Sequence, residues 1–475
     1  MLAGVVTEAA RRFGPAPALV DPDGRPLSYE DLDRRSDEVA TGLAAKGIGP
    51  GAVVGLALPA GTTYAVAYAA AAKVGAATAG VNPRLTAAEQ ETLLAVADPA
   101  LVLREDADVE GLRVRGGVAP SLPDDPDRLV AIVFTSGTTG TPKGAMFCGR
   151  QLQAITLADA GLEWGGGGPS VGATSMAHVG FMTKFPWHVR KGGTTFLLRK
   201  WTADDALRLV AEHRIAHFGG VPTQLALILR HPRLHEYDLS CVQAVVLGAG
   251  PCPLPLLHEA RDVLGVPVSL RYSCTESGGC GTGTAPDDPL DETLGVGVPR
   301  GAVEVAIRDE SGVEVPEGEV GEVCLRTPTA MTGYYRDPAS TAAVFWPDGF
   351  VRTGDLGRLD GRGRLHLAGR SKEMYVRGGY NVFPVEVEAV LLGSPLIAEI
   401  AVVARPDLVM GEKAVAFVVP ADPARPPTLD DLRRFGAERL ATYKLPDEVR
   451  VVDALPLTAM DKLDRRALEE LAVTS

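Results

Sequence analysis

The 475-residue sequence has no Cys-x-x-Cys pair, and no cysteine stands with histidines at zinc-ligand spacing. That excludes a structural zinc site and argues against a disulfide framework in so long a chain. Cys148, Cys241, Cys252, Cys274, Cys280 and Cys324 therefore read as reduced thiols. An excess of basic charge is also missing. The net charge is −13, so the chain lacks the cationic footprint of a nucleic-acid binder. No long, strongly apolar run exists. The Ala-rich stretch from Tyr64 to Gly80 is interrupted by Lys73 and is weakly hydrophobic. A membrane span needs about 20 apolar residues, so this stretch reads as a buried helix of a soluble fold. The first residues carry Glu8, Arg11 and Arg12 and no apolar core of signal-peptide length. The expectation is a cytoplasmic protein with no membrane span. Lysine is scarce, 10 against 37 arginines, which gives weight to a lysine found inside a motif.

What is present is an ordinary globular composition in a chain long enough for two or three domains. The first 120 residues alternate helix and strand signals. Ser28 and Asp31 resemble a capping box, and Leu32, Val39 and Leu43 share a helical face that ends at Gly47. A buried strand spans 52–58, a helix begins near Tyr64, and strands fall near Thr78 and at 101–103. Such alternation predicts parallel sheets covered by helices. The acidic, aperiodic segment 104–128 reads as a surface loop. The βα pattern returns from 171 to 275. Short alternating runs at 303–307, 322–325 and 364–367 predict a small β-rich subdomain. After Gly369 the pattern becomes α+β, with a domain boundary expected at about 370–373.

Five segments carry chemistry. The strand ending at Phe134 runs into Thr135-Ser136-Gly137-Thr138-Thr139-Gly140-Thr141-Pro142-Lys143-Gly144. Its glycines let backbone N–H groups approach an anion, its hydroxyls add donors, and Lys143 adds charge: a polyphosphate cradle. It is not a Walker A loop, because Gly-Lys-Ser/Thr is absent. Tyr272-Ser273-Cys274-Thr275-Glu276 follows a strand. An aromatic there can stack on a base, and a hydroxyl beside a carboxylate suits a phosphate oxygen and Mg²⁺. Thr353-Gly354-Asp355 offers a turn carboxylate for ribose hydroxyls. The segment 369–388 offers Arg370 to a ribose or phosphate, and Gly378-Gly379 allows a ligand close to backbone. Lys462 stands in a C-terminal loop.

In this order and spacing the five segments resemble the adenylate-forming superfamily of acyl- and aryl-CoA synthetases, peptide-synthetase adenylation domains and luciferases. The resemblance covers nearly the whole chain. It implies a large N-terminal AMP-binding domain, residues 1–371, of helix-covered sheets plus a β-rich subdomain. A small mobile α+β domain, residues 372–475, would carry the catalytic lysine. It implies ATP, Mg²⁺ and coenzyme A as partners in the reaction. Thr135, Ser136, Gly137, Thr138, Thr139, Gly140 and Lys143 would hold the β- and γ-phosphates, and Thr275 and Glu276 the α-phosphate and Mg²⁺. Tyr272 and the turn Gly248-Ala249-Gly250 would sandwich adenine. Asp355 and Arg370 would bind ribose, and Lys462 would bridge the attacking carboxylate and the α-phosphate. Lys372 matches the hinge position, and Gly378 and Gly379 would line the pantetheine path. Two departures stand out: Asp461 replaces the usual glycine before the lysine, and Ser273 replaces a glycine after Tyr272.

Amino-acid-activating relatives carry an aspartate just after the segment equivalent to 175–181. This chain reads Met176-Ala177-His178-Val179-Gly180-Phe181, and His178 resembles the residue that sits near the substrate carboxylate. With Gly219, Gly220 and Val221 it suggests an apolar acid pocket, for a fatty, aryl or alicyclic acid rather than an α-amino acid. The acceptor is expected to be coenzyme A; a free carrier protein is the alternative, because no carrier domain follows Lys462. A nucleotide binder without chemistry is disfavoured by the joint presence of Lys143, Glu276, Asp355 and Lys462. The oligomeric state stays open.

Overall fold

The computed structural model describes residues 2–135, 142–172, 175–250, 252, 254–285, 288, 295–370, 373–377, 380–458 and 462–474. Among the described residues the strands form five sheets. The first has the order Leu101–Leu103, Val53–Leu56, Ala77–Gly80, Leu129–Thr135, Lys143–Cys148. Its first four strands run parallel and the last is antiparallel. In the second, His217–Gly220, Ala244–Gly248 and Val268–Tyr272 are parallel, followed by the antiparallel Thr282–Gly283 and Val298–Pro299. Val53–Leu56 and Ala77–Gly80 are buried on both faces, and parallel strands joined by helices follow directly from the alternating pattern.

The Ala-rich stretch forms the helix Thr62–Val74, with almost every residue buried. Its one charge is neutralised locally: Lys73 Nζ donates to Oδ1 of Asp33 at 2.6 Å and to Oδ1 of Asp37 at 2.7 Å. Pairing of this kind lets a lysine that is 5% exposed sit in the core. Among the described residues no helix is long and apolar enough to cross a membrane. Ser28 caps the helix Tyr29–Ala45 by accepting from the Asp31 N–H at 3.0 Å.

The β-rich subdomain is a four-stranded antiparallel sheet, Glu304–Arg308, Gly321–Arg326, Val351–Leu359 and Leu365–Arg370. The C-terminal α+β unit has the sheet order Tyr380–Val382, Tyr375–Arg377, Gly411–Pro420, Ile397–Asp407, with Glu448–Val451 parallel to Gly411–Pro420. Its buried clusters, around Tyr375, Val402, Phe417 and Leu468, draw only on residues from 375 onward.

Two elements depart from the sequence reading. The segment taken as a loop contains a short helix, Asp106–Glu110, closed by reciprocal bonds between Glu105 and Asp108. Acidic residues suit a helix N-terminus, and Val109 is buried. A further sheet, Pro26–Ser28, Pro17–Val20, Thr195–Leu197 and Ser170–Gly172, joins segments far apart in sequence. Its strands are too short to show a period.

Candidate active site

The strands Leu129–Thr135 and Lys143–Cys148 form a hairpin in which Thr135 lies directly opposite Lys143. Gly144 permits that close pairing, since a Cβ there would stand 2.6 Å from Cγ2 of Ile132. A hydroxyl and an ammonium thus flank the loop at its two stems. Ser136, Gly137, Thr138, Thr139 and Gly140 lie outside the described residues, as do Lys372, Gly378, Gly379 and Asp461.

Lys143 Nζ sits 5.2 Å from the centre of the Tyr334 ring. The Tyr334 hydroxyl donates to Oε1 of Glu276 at 2.7 Å. Burial and the Glu276 carboxylate push the Tyr334 phenol far up, so it remains a donor. Tyr334 therefore ties the phosphate loop to the acidic turn, a role that sequence reading missed. Its only signal was Gly333-Tyr334-Tyr335 between two strands. Gly333 has φ 145°, and Tyr334 is bridged to Ala145.

Tyr272 ends the strand Val268–Tyr272, and the turn after it carries Thr275 and Glu276. The Gly278 N–H donates to the Thr275 carbonyl at 2.9 Å, and the Met331 N–H to the Glu276 carbonyl at 2.8 Å. Gly278 is required here: its φ is +72° and a Cβ would approach the Thr329 carbonyl oxygen to 2.4 Å. Ser273 is not among the positive-φ residues, so it serves where glycine was expected. Gly248 ends the neighbouring strand opposite Arg271. Ala249 follows with φ 62°, a left-handed conformation that non-glycine residues rarely adopt.

Asp355 and Arg370 face each other across antiparallel strands. Arg370 Nε lies 3.0 Å from Oδ1 of Asp355, and the Tyr272 hydroxyl donates to Oδ2 at 2.7 Å. Burial, with Asp355 beside it, pushes the Tyr272 phenol far up. Both carboxylate oxygens are engaged, yet a carboxylate accepts about four bonds, which leaves room for two ribose hydroxyls.

Lys462 stands on a hairpin closed by the bridge Leu457–Leu463 and by the Thr458 N–H donating to its carbonyl at 2.7 Å. It lies within electrostatic reach of Asp355, Arg370 and His178. Partial withdrawal from water, then the like charge of Arg370, pushes its ammonium pKa down; Asp355 opposes this. His178 caps the short helix Val179–Met182, its Nδ1 accepting from the Gly180 N–H at 3.3 Å. That bond leaves the proton of the neutral ring on Nε2. Burial, then Lys462, pushes the His178 pKa down to about 4, so the ring is neutral at pH 7. Gly220 ends the strand His217–Gly220, and Val221 caps the helix Pro222–Leu229. The Val221 N–H donates to Oε1 of Gln224 at 3.1 Å, and a Cβ on Gly220 would collide with that same oxygen at 2.5 Å.

The structure thus brings Thr135, Lys143, Glu276, Tyr272, Asp355, Arg370, His178 and Lys462 into linked groups drawn from three sheets, the cap of the helix Val179–Met182 and the C-terminal hairpin. Among the described residues no group of three or more His, Cys, Asp or Glu could hold a metal ion. A cation here would rest on one carboxylate together with ligand phosphates and water.

The AMP-binding enzyme family model matches residues 6–335, and the model of its C-terminal domain matches residues 386–462. A fatty acid–[acyl-carrier-protein] ligase of Streptomyces coeruleorubidus is 33% identical over 94% of this chain and 92% of that protein. A feruloyl-CoA synthase of an Amycolatopsis species is 32% identical over 95% of each. ATP-bound MatB from Rhodopseudomonas palustris superimposes with TM-score 0.89 at 27% identity, covering 100% of this chain and 99% of that one. The o-succinylbenzoate CoA synthetase of Bacillus subtilis, solved with its acyl-adenylate intermediate, gives TM-score 0.87 at 26% identity, covering 98% and 97%. The chain belongs to the adenylate-forming superfamily of AMP-binding enzymes, as an acyl-CoA synthetase that activates a carboxylic acid with ATP to acyl-AMP and transfers the acyl group to coenzyme A.

Proposed function

We propose that Lys462 is the catalytic lysine of the adenylation step and that His178 faces the acid's carboxylate. The observation that carries this reading is the charge balance at Lys462: one hairpin lysine within reach of Asp355, Arg370 and His178. In the first step a carboxylate oxygen attacks the α-phosphorus, and the bond to the β-phosphate bridging oxygen breaks as pyrophosphate leaves. Lys462 offsets the charge that builds between carboxylate and α-phosphate. In similar sites one preorganised donor contributes about 2.7–4 kcal/mol. Neutral His178 can donate from Nε2 to a carboxylate oxygen without repelling Lys462. In the second step a thiolate attacks the acyl carbonyl and AMP leaves.

Thr135 and Lys143, with the loop between them, hold the β- and γ-phosphates. Tyr272 faces adenine, Asp355 and Arg370 take the ribose, and Thr275 lies toward the α-phosphate. Glu276 fits a Mg²⁺ ion, because Tyr334 anchors Oε1 and leaves Oε2 for a hard cation. When bound, the ion would neutralise phosphate charge. We assign residues 1–371 to the nucleotide domain and 372–475 to a mobile domain that turns about Lys372 between the half-reactions. In the second orientation Gly378 and Gly379 border the pantetheine path. The separate C-terminal clusters from residue 375 onward support that division.

The acceptor has a second reading, a free carrier protein, favoured by the carrier-protein ligase among the relatives. Pyrophosphate release over a panel of carboxylic acids tests adenylation. Thioester formation with coenzyme A, run beside a phosphopantetheinylated carrier, separates the acceptors. Turnover with the carrier alone would overturn the coenzyme A reading.

A further inference from the structure

His178 opens a continuous stretch of right-handed helical backbone that runs through Val179–Met182 and Thr183 to Lys184. Six residues at about 1.5 Å each carry Lys184 about 9 Å beyond His178 along the helix axis. Gly279 lies against this stretch. A Cβ on it would meet Cε of Lys184 at 3.4 Å and Cγ2 of Val179 at 3.7 Å. The far end of the helical stretch therefore borders the glycine-rich segment that follows Thr275 and Glu276.

Charged side chains collect at this end. Lys184 Nζ donates to Oδ2 of Asp159 at 2.5 Å, and neither side chain is more than 21% exposed. Asp159 is also within electrostatic reach of Arg271. Successive residues of a strand point to opposite faces. Tyr272 thus turns toward Asp355 while Arg271 turns away from it, toward Asp159. The Arg271 guanidinium is fixed in place: its Nη1 donates to the Leu270 carbonyl at 3.1 Å and to the Thr284 carbonyl at 2.8 Å. Arg300 joins it over Gly283, where a Cβ would lie 2.3 Å from Nη1 of Arg271 and 2.8 Å from Cδ of Arg300. His188 also faces Lys184 and Asp159, but burial pushes its pKa down to about 4, so it adds no charge at pH 7. Lys184 thus pairs with Asp159, and Arg271, with the exposed Arg300 beside it, lies within reach of the same carboxylate, in a chain whose net charge is −13. Burial chiefly, then the like charge of Arg300, pushes the Arg271 pKa down, and Asp159 opposes this. A local cationic excess inside an acidic protein concentrates an anion.

From this placement we infer that the acid substrate carries a second carboxylate, which Arg271 and Lys184 receive while the first is activated between His178 and Lys462. The inference rests on the adenylation reading above and deepens it: the substrate is a dicarboxylic acid, with an aliphatic or aryl body lying along Val179 and Gly279. The sequence showed no cation for the pocket because Arg271 and Lys184 lie outside the segments that suggested it. Asp159 holds Lys184 in place.

The test uses the full-length enzyme with matched acids: butyrate against succinate, hexanoate against adipate, octanoate against suberate. Pyrophosphate release and thioester formation are measured separately. For at least one pair the diacid should show kcat/KM about tenfold or more above the monoacid, since a site built for a polar group rejects the analogue that lacks it. In Arg271→Met that ratio should fall about tenfold or more, chiefly through KM of the diacid. Arg271→Lys should retain most of the preference. Lys184→Gln gives the same reading independently, should Arg271→Met fold poorly. A wild-type enzyme that prefers the monoacid in every pair overturns the inference. So does a ratio unchanged in both Arg271→Met and Lys184→Gln. An enzyme that adenylates diacids preferentially but passes none to coenzyme A supports the inference and overturns the acceptor reading instead.

Discussion

The Tyr272 hydroxyl donates to Oδ2 of Asp355 at 2.7 Å, so the ring assigned to adenine and the carboxylate assigned to ribose are joined by one buried hydrogen bond. Arg370 holds the other oxygen of the same carboxylate. The two ends of the proposed nucleoside site are therefore joined in a single three-residue unit.

Tyr272→Phe keeps the ring and removes that bond. A hydrogen bond to a charged group contributes about 1.5–3 kcal/mol, so KM for ATP should rise about tenfold or more. Initial rates at saturating acid would measure this. An unchanged KM would mean that Arg370 alone orients Asp355.

Tyr334→Phe frees Oε1 of Glu276 and leaves the ring under Lys143 intact. The Mg²⁺ concentration for half-maximal rate should rise. Glu276→Gln should raise it further, because an amide oxygen is a weaker ligand for a hard cation than a carboxylate. Titration of Mg²⁺ at fixed ATP orders the variants; equal curves for all three proteins would remove Glu276 from the metal site.

Two histidines make stability depend on pH. His178 and His188 each fall from 6.5 to about 4 on folding, with burial the largest cause for both. The unfolded chain then binds more protons between those values, so stability is complete above pH 6.5 and is lost as pH falls toward 4. Melting temperatures should drop over that window in the native protein and less steeply in His188→Gln. A profile that is flat for the native protein would refute the half-buried, neutral rings.

How much of this was legible in the sequence depends on how each residue is held. Thr135, Lys143, Tyr272 and Arg370 sit where a strand meets a turn, and such punctuation is visible in a linear chain; Asp355 instead lies within the strand Val351–Leu359 and not on the turn that Thr353-Gly354-Asp355 suggested, because its ladder with Leu365–Arg370 includes it. Lys462 has no such local signal and stood out through its order relative to the others. Tyr334 acts on Glu276 from 58 residues away, and Lys184 meets Asp159 across 25. Neither partner changes the local pattern, so only the packed chain joins them. The helix at 106–110 was hidden for a different reason. It is one turn long, and acidic residues that cap a helix also mark a loop.

The half-reactions can be separated at Lys462. Lys462→Ala should slow acyl-AMP formation by about 10²–10³-fold, the cost of one preorganised donor. ATP affinity should change little, because the ammonium acts mainly as charge develops between carboxylate and phosphate. Supplied with preformed acyl-AMP, the same variant should still make thioester from coenzyme A, since the carboxylate has already been activated. Gly379→Leu should show the reverse, forming acyl-AMP and passing it on slowly, because a side chain would fill the thiol path. Single-turnover measurements resolve both steps. If Lys462→Ala loses both steps alike, the lysine is part of the scaffold rather than the charge that moves the first step. If Gly379→Leu thioesterifies as fast as the native enzyme, the thiol enters by another route.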